Sequence, residues 1–248
     1  MDRGLYPLVA AAIGQERHLD VVTNNLSNVQ TAGYKREKAL FTTLLARSLS
    51  GQAASPTQTA PAALADKLFP QLDRTFTDWN AGLVRPTGNP LDMALNGEGF
   101  FVVQTPRGPE YTRSGSFVLN ERRELAARDG SLVMGQNGPL QIPIGKITVT
   151  DKGDILVNDA AVGTVRVVTF MDLALAVRVG ERFTTAQSVG PAKETSVVGE
   201  SLEESNVNPI EEFVRLVEIT RQYESIQKAL QAMDEEARQA ATDIGRPV

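Results

Sequence analysis

Both ends of the chain carry a stripe of largely apolar residues at alternating steps of three and four, and the middle does not. The N-terminal stripe consists of Leu5, Leu8, Ala12, Gln15, Leu19, Val22, Leu26 and Val29. The C-terminal stripe consists of Leu216, Ile219, Tyr223, Ile226, Leu230, Met233, Ala237 and Ala240. This spacing keeps one side of a helix facing a partner helix along its whole length. The sequence therefore predicts a long helix at each end, and each helix needs a surface to cover its stripe.

The two predicted helices have recognisable ends. The first runs from about residue 5 to residue 29, and Thr31-Ala32-Gly33 ends it because glycine readily takes the left-handed conformation found after a helix. The second has Asn208 as its N-cap residue, Pro209 at its first position and Glu211 three residues after the cap. The first helix leads towards the middle of the chain and the second leads away from it. If they pack on each other, they are therefore antiparallel.

The middle of the chain favours strands. Short apolar runs, such as residues 99–104 and 155–157, are separated by turn sequences such as Asn96-Gly97 and Asn137-Gly138. We therefore predict a central antiparallel all-β domain over residues 95–185. Residues 34–94 are predicted to be an extended or flexible linker, since part of this segment is rich in Ser, Thr, Ala, Gln and Pro, and residues 186–207 a return linker.

The predicted fold class is thus α+β. Residues 1–33 and 208–248 supply N- and C-terminal helices that form an antiparallel coiled-coil-like stalk, and the β domain lies between them in the sequence. Several apolar residues fall outside the two stripes and widen the apolar surface of both helices: Val9, Ile13, Ile210, Phe213 and Val217. They predict further neighbours, namely other copies or other subunits. The alternative is that two amphipathic helices simply cover the β domain.

Composition excludes several classes of function. The formal net charge of -5 argues against non-specific binding of nucleic acid, which needs a positive field. The absence of an apolar run of 18 residues predicts no membrane span. We also expect no ordinary secretory signal peptide, because no basic region precedes a continuous apolar stretch at the N-terminus. The chain has no cysteine, which excludes disulfides and thiolate metal sites.

No set of residues assembles a catalytic or metal site in the sequence. His18 is the only histidine, and Gly97-Glu98-Gly99 lacks the third glycine and the helix of a phosphate loop. Arg113, Arg122, Arg123 and Arg128 form a basic group that we interpret as a solvated face. We predict no catalytic residues, no metal and no cofactor, so the chain is not expected to be an enzyme. An enzyme with paired carboxylates and a coiled-coil-tethered binding module remain as alternatives.

Three segments together resemble one protein family. Residues 24–36 (NNLSNVQTAGYKR) resemble the N-terminal signature of the bacterial flagellar rod and hook axial proteins. Residues 87–101 (TGNPLDMALNGEGFF) and 111–117 (YTRSGSF) are similar to the central segment of that family. Residues 205–213 (SNVNPIEEF) and 221–224 (RQYE) resemble its C-terminal signature. Within the family, the opening residues, the TGN sequence and the length look most like proximal-rod subunits, with distal-rod and hook-type subunits as the alternatives.

The resemblance implies a structural subunit of the flagellar basal-body rod. Members are exported through the flagellar apparatus without a cleaved signal peptide and assemble in the periplasm through their terminal helices. The helical tube that they form transmits motor torque. The implied partners are copies of the chain and other proximal- and distal-rod subunits, with the surrounding ring proteins as further candidates. Nucleic acid and a direct membrane span are not expected.

The sequence stripes and the resemblance together give a predicted assembly interface. Asn24, Asn25 and Asn28 are included because buried polar residues can fix the register of packed helices. The predicted residues are Leu5, Leu8, Ala12, Leu19, Val22, Asn24, Asn25, Leu26, Asn28, Val29, Phe213, Leu216, Ile219, Tyr223, Ile226, Leu230 and Met233.

Overall fold

The computed structural model describes residues 5–45, 68–192 and 194–244. The described residues fall into two compact units. Of the described residues, unit 1 contains residues 5–26, 37–45, 68–77 and 209–244, and unit 2 contains residues 27–36, 78–192 and 194–208.

Unit 1 contains the two terminal helices and a β-ribbon. Helix α1 spans Leu5–Ser27 and helix α2 spans Pro209–Ile244. The two helices pack against each other, and the predicted α+β fold class is confirmed. Helix α2 begins at Pro209 and carries two acidic residues in its first turn, where carboxylates stabilise the positive helix end. Strands β1 (Glu37–Leu45) and β2 (Leu68–Thr77) pair antiparallel, with an irregularity after Leu40.

Unit 2 is built mainly from short strands. Their bounds are β3 (Val84–Pro86), β4 (Met93–Asn96), β5 (Phe100–Thr105), β6 (Gly108–Thr112), β7 (Phe117–Leu119), β8 (Leu125–Ala127), β9 (Leu132–Gly135), β10 (Gly138–Pro139), β11 (Ile147–Val149), β12 (Asp154–Val157), β13 (Ala160–Thr164), β14 (Val167–Phe170), β15 (Val177–Val179), β16 (Arg182–Thr184), β17 (Val189–Pro191), β18 (Ser196–Gly199) and β19 (Ser201–Glu203). A short 3-10 helix, Leu173–Leu175, follows β14. The strands of unit 2 pair antiparallel throughout the described residues, as the sequence predicts.

The pairing order places β5 at the centre of unit 2. The largest sheet has the order β15-β16-β6-β5-β9-β8-β7, and β14 also pairs with β5. A three-stranded sheet has the order β11-β12-β13, and two pairs, β18-β4 and β19-β3, join distant parts of the sequence. Alternate residues of β5 point into two apolar clusters: Phe101 and Val103 into one, and Phe100 and Val102 into the other. Strand β5 therefore carries a core on each of its faces.

Two segments that we interpreted as linkers contain strands. Residues 34–94, predicted to be extended or flexible, contribute β1, β2 and β3 and the start of β4. Residues 186–207, predicted to be a return linker, contribute β17, β18 and β19. Strands β1 and β2 have nine and ten residues, whereas β3, β17, β18 and β19 have three or four. All of them pair with segments that lie 19 or more residues away in the sequence, which the local pattern of apolar residues does not indicate. Among the described residues, no helix is long and apolar enough to cross a membrane.

Candidate functional site

The sequence stripes lie on the less exposed sides of α1 and α2. In each helix one stripe residue is fully buried: Val22 is 2% exposed and Ile219 is 3% exposed. The half-buried stripe residues of the two helices are Leu8, Ala12, Gln15, Leu19, Leu26, Leu216, Tyr223, Ile226, Leu230 and Met233. Val29 lies in the turn after α1 and is half-buried, whereas the side chain of Leu5 falls outside the described residues. The stripes are thus covered to a large extent within a single chain.

A second apolar side of each helix is exposed. On α2, Phe213 is 58% exposed, Val214 52% and Val217 39%, and these three residues are called the α2 patch below. On α1, Val9 is 39% exposed and Ile13 47%, and these two are called the α1 patch. At about 100° per residue, the α2 patch lies roughly on the opposite side of α2 from its buried stripe. Among the described residues, Phe213 is therefore the most exposed apolar member of the predicted interface.

Asn25 is a buried polar residue of α1 that bonds to other elements of unit 1. Its side chain is 1% exposed, and its amide pairs with the backbone of Glu37 in both directions. Asn25 Nδ2 donates to the Glu37 carbonyl at 2.8 Å, and the Glu37 amide donates to Asn25 Oδ1 at 2.9 Å. Asn25 Nδ2 also lies 3.4 Å from Glu212 Oε2 on α2. A side-chain amide suits this position because it donates and accepts at the same time.

The other two asparagines differ from Asn25. Asn24 is exposed, and Asn28 is half-buried in the turn after α1, where its Oδ1 accepts a hydrogen bond from the Thr31 hydroxyl at 3.1 Å. Asn25 thus joins α1 to both β1 and α2.

Replacing Asn25 with leucine is expected to lower the free energy of unfolding of unit 1 by about 1–3 kcal/mol, because it removes a buried hydrogen-bond partner of the Glu37 backbone and of Glu212. Hydrogen exchange should quicken at Glu37 and in α1, while amides of β5 and β9 in unit 2 keep their protection. Asn24→Leu, at the exposed neighbouring position, is the control. Equal effects of the two substitutions would contradict the assignment.

In unit 2, three charged residues form a buried cluster. Glu203 is 1% exposed, Lys35 2% and Arg113 5%. Glu203 Oε1 accepts from Lys35 Nζ at 2.6 Å, and Glu203 Oε2 accepts from Arg113 Nε at 2.9 Å. Burial lowers the pKa of Lys35 below its ordinary value, although the Glu203 carboxylate acts in the opposite direction. We call these three residues the ion cluster.

The ion cluster is completed by backbone groups. Lys35 Nζ donates to the Asn80 carbonyl at 2.7 Å, and the Gly82 amide donates to Glu203 Oε1 at 2.9 Å. Arg113 Nη1 donates to the carbonyls of Gly97 and Gly99 at 2.8 and 2.7 Å. Hydrogen bonds to the remaining donors and acceptors are what allow charges to be buried. The cluster therefore joins five segments of the chain, around residues 35, 80–82, 97–99, 113 and 203.

Residues next to the ion cluster form further hydrogen bonds between the same parts of the chain. Asn206 Oδ1 accepts from the Arg36 amide at 2.7 Å, and Asn206 Nδ2 donates to the carbonyls of Asp78 and Asn80, each at 2.9 Å. The Arg178 guanidinium lies 4.7 Å from the centroid of the Tyr34 ring and donates to the Lys35 carbonyl. The segments 34–36 and 203–206 thus contribute side chains, and the segment 78–82 contributes backbone groups that bond to them.

Gly33 closes the turn that follows α1. Its φ angle is +69°, the left-handed conformation that the sequence predicts for this position. Its amide donates to the Glu203 carbonyl at 2.7 Å. A Cβ atom at this position would lie 2.3 Å from the carbonyl carbon of Arg113. Gly33 is therefore needed both for its φ angle and for the close approach of two backbones.

Three family models match the chain, in the order N-terminal, central and C-terminal. Residues 5–35 match the model described as flagella basal body rod protein. Residues 94–157 match the flagellar hook protein FlgE/F/G D1 domain, and residues 198–243 match the flagellar basal body rod FlgEFG protein C-terminal model.

Curated relatives extend the match to nearly the whole chain. Over an alignment of 254 residues, the chain is 31% identical to the flagellar basal-body rod protein FlgF of Caulobacter vibrioides, and the alignment covers 99% of each protein. The chain belongs to the flagellar basal-body rod FlgEFG family. It is also 30% identical to FlgF of Mesorhizobium japonicum, over 91% of this chain and 90% of the relative. It is 27% identical to FlgG of Bacillus subtilis, over 95% and 96%.

Family membership establishes the general role. The chain is a FlgF-like structural subunit of the flagellar basal-body rod, and it is not an enzyme. Membership also implies assembly with other rod subunits.

The ion cluster takes one residue from each matched segment of the FlgEFG family. Lys35 is the last residue of the N-terminal match, Arg113 belongs to the D1 match, and Glu203 belongs to the C-terminal match. Sequence analysis missed this cluster, because Lys35 and Glu203 are 168 residues apart and Arg113 and Glu203 are 90 apart. The interpretation of Arg113 as part of a solvated basic face is wrong, since burial beside a carboxylate gives it a structural role.

Proposed function

We propose that this rod subunit assembles through its terminal helices into a helical tube that transmits motor torque. The proposed neighbours are copies of the chain and other proximal- and distal-rod subunits, with the surrounding ring proteins as further candidates. We place the assembled subunit in the periplasmic part of the basal body, and we propose that it is exported without a cleaved signal peptide. The resemblance to FlgF proteins supports these proposals.

One observation carries the assembly proposal. In a single chain the stripes of α1 and α2 are buried or half-buried, while the α2 patch stays exposed on the other side of the helix. An exposed, ordered apolar surface on a soluble chain marks a site of protein contact. Since each buried apolar side chain contributes about 1.5–3 kcal/mol, the α2 patch can contribute substantially to a contact between subunits.

The double substitution Phe213→Ser and Val217→Ser tests this proposal. Both side chains are exposed in the single chain, so the free subunit is expected to keep its helix content and unfolding profile. Loss of two apolar contacts of about 2 kcal/mol each should weaken association by roughly a thousandfold. The measurement is the amount of subunit in basal bodies purified from cells that carry the variant, together with swimming in soft agar.

Ile144→Ser is the matched control. Ile144 lies in unit 2 and is 82% exposed. The substitution therefore also replaces an exposed apolar side chain with a hydroxyl group. We expect normal incorporation of this control. Normal incorporation of the Phe213 and Val217 variant would show that the helical surface is not the contact.

A further inference from the structure

The last part of unit 2 in the chain, residues 196–207, makes many polar contacts and contributes little to the apolar cores. These residues are called the strap below. We propose that the strap opens and closes as one unit while the sheet around β5 stays folded. This inference concerns a single chain, so it does not depend on the proposed assembly.

The apolar cores of unit 2 belong almost wholly to residues outside the strap. Among the described residues, one cluster has thirteen buried members and the other has six, and Val197 is the single strap residue in either. Burial of apolar surface is the main contribution that keeps such a unit folded. Strand β4, which pairs with the strap, also bonds elsewhere, because the Met93 amide donates to the Gly115 carbonyl at 3.1 Å. The sheet around β5 therefore keeps its cores when the strap leaves.

The first half of the strap is held mainly by backbone hydrogen bonds. Strand β18 pairs with β4 over four residues. Beside this ladder, the Val197 amide donates to the Asp151 carbonyl at 2.9 Å, and the Thr87 amide donates to the Glu200 carbonyl at 2.7 Å. These bonds join the strap to parts of the chain that are more than 40 residues earlier.

The second half of the strap carries the charged contact. The Glu203 carboxylate belongs to the ion cluster, and the Glu203 carbonyl accepts from the Gly33 amide at 2.7 Å. The Glu204 amide donates to the Leu83 carbonyl at 2.8 Å. Asn206 then bonds to three backbone groups in residues 36–80. This half is therefore held by polar groups, and its release leaves the two apolar clusters intact.

Two features favour opening of the strap as a whole. One carboxylate serves both Lys35 and Arg113, so neither contact can be kept when Glu203 moves away. The pairs β18-β4 and β19-β3 are each two-stranded, and a two-stranded pair alone is marginally stable in water. Each pair therefore depends on the contacts at the other end of the strap, and the loss of one end favours loss of the other.

Native-state hydrogen exchange of the full-length chain, resolved to single amides, tests this inference. The reporters are the amides of Gly33, Thr87, Val197 and Glu204, which bond to the strap or belong to it. We expect these four amides to share one protection factor, at least tenfold below that of the slowest β5 amides. They should also share one dependence on urea, because the same surface is exposed each time.

Substitutions at the two ends of the strap provide the decisive comparison. Val197→Ala should quicken exchange roughly tenfold at Gly33 and Glu204, although the hydrogen bonds of these two amides do not involve Val197. Asn206→Ala, which removes side-chain bonds at the other end, should quicken exchange roughly tenfold at Val197 and Thr87.

Val102→Ala is the matched control for Val197→Ala. Val102 lies in β5 and is 4% exposed, in the cluster that contains no strap residue. This control should quicken exchange of the slowest β5 amides, which requires complete unfolding, and should leave the four reporters unchanged.

Two results would overturn the inference. If Val197→Ala changed only the amide at its own position, the strap would open piece by piece. If Val102→Ala quickened the four reporters as much as the β5 amides, unit 2 would open only as a whole. Neither result bears on incorporation into rods, so the proposed function would stand or fall separately.

Discussion

Replacement of Glu203 with glutamine is expected to lower the free energy of unfolding of unit 2 by about 3–5 kcal/mol, because it leaves two buried cations without their carboxylate. The new amide also presents hydrogen-bond donors towards Lys35, Arg113 or the Gly82 amide, all of which are themselves donors. Trp79 is the only tryptophan, and its ring lies 5.5 Å from that of Phe100 and 4.7 Å from that of Phe183. Its fluorescence in a urea titration therefore reports on unit 2.

Glu204→Gln is the control for this experiment. Glu204 is the next residue, but its ion pair with Arg85 is exposed, at 40% and 69% for the two side chains. Exposed pairs contribute about 0–1 kcal/mol, so the urea midpoint should barely move. If Glu203→Gln behaved like Glu204→Gln, the ion cluster would not stabilise unit 2.

Replacement of Gly33 with alanine is expected to lower the free energy of unfolding of unit 2 by about 4 kcal/mol, at the upper end of single substitutions. The left-handed conformation accounts for roughly 1–2 kcal/mol of this. The rest comes from the added Cβ atom, which would lie 2.3–2.5 Å from backbone atoms of Arg113 and Ser114, so one backbone must move. Hydrogen exchange should quicken at the Gly33 amide, whose bond to the Glu203 carbonyl would be strained.

Gly88→Ala separates these two contributions. Gly88 has a φ angle of +74°, close to that of Gly33, but no atom lies within 4 Å of the position of its Cβ. This control should therefore lose only the backbone contribution of roughly 1–2 kcal/mol. Equal losses at both glycines would contradict the close approach of residues 33 and 113.

The elements that the sequence predicts well are those with local signals. Helix α1 begins at residue 5 and ends at residue 27, and Gly33 takes the positive φ angle expected after it. Helix α2 begins at Pro209, as its capping sequence indicates. Strands β5 and β12 coincide with predicted runs to within one residue, since apolar residues and turn glycines define them locally.

The parts that the sequence does not predict depend on distant partners. Strands β18 and β19 pair with β4 and β3, about 100 residues earlier, and the ribbon of β1 and β2 joins segments more than 20 residues apart. The ion cluster could not be predicted for the same reason, because no local sequence pattern indicates that Lys35, Arg113 and Glu203 contact one another. Phe213 was predicted as an interface residue on its apolar character and on the family resemblance, and the structure adds that it lies across the helix from the buried stripe.

The α2 patch also has a consequence for the newly made subunit. An apolar surface that binds another subunit in the rod favours aggregation of the free chain, because the exposed side chains of the α2 patch can associate with other apolar surfaces. Overproduction without the remaining axial proteins should therefore favour precipitation over a stable solution of monomers. Solubility and correct incorporation place opposite demands on the same few side chains, and the cell can meet both by keeping the pool of unassembled subunits small.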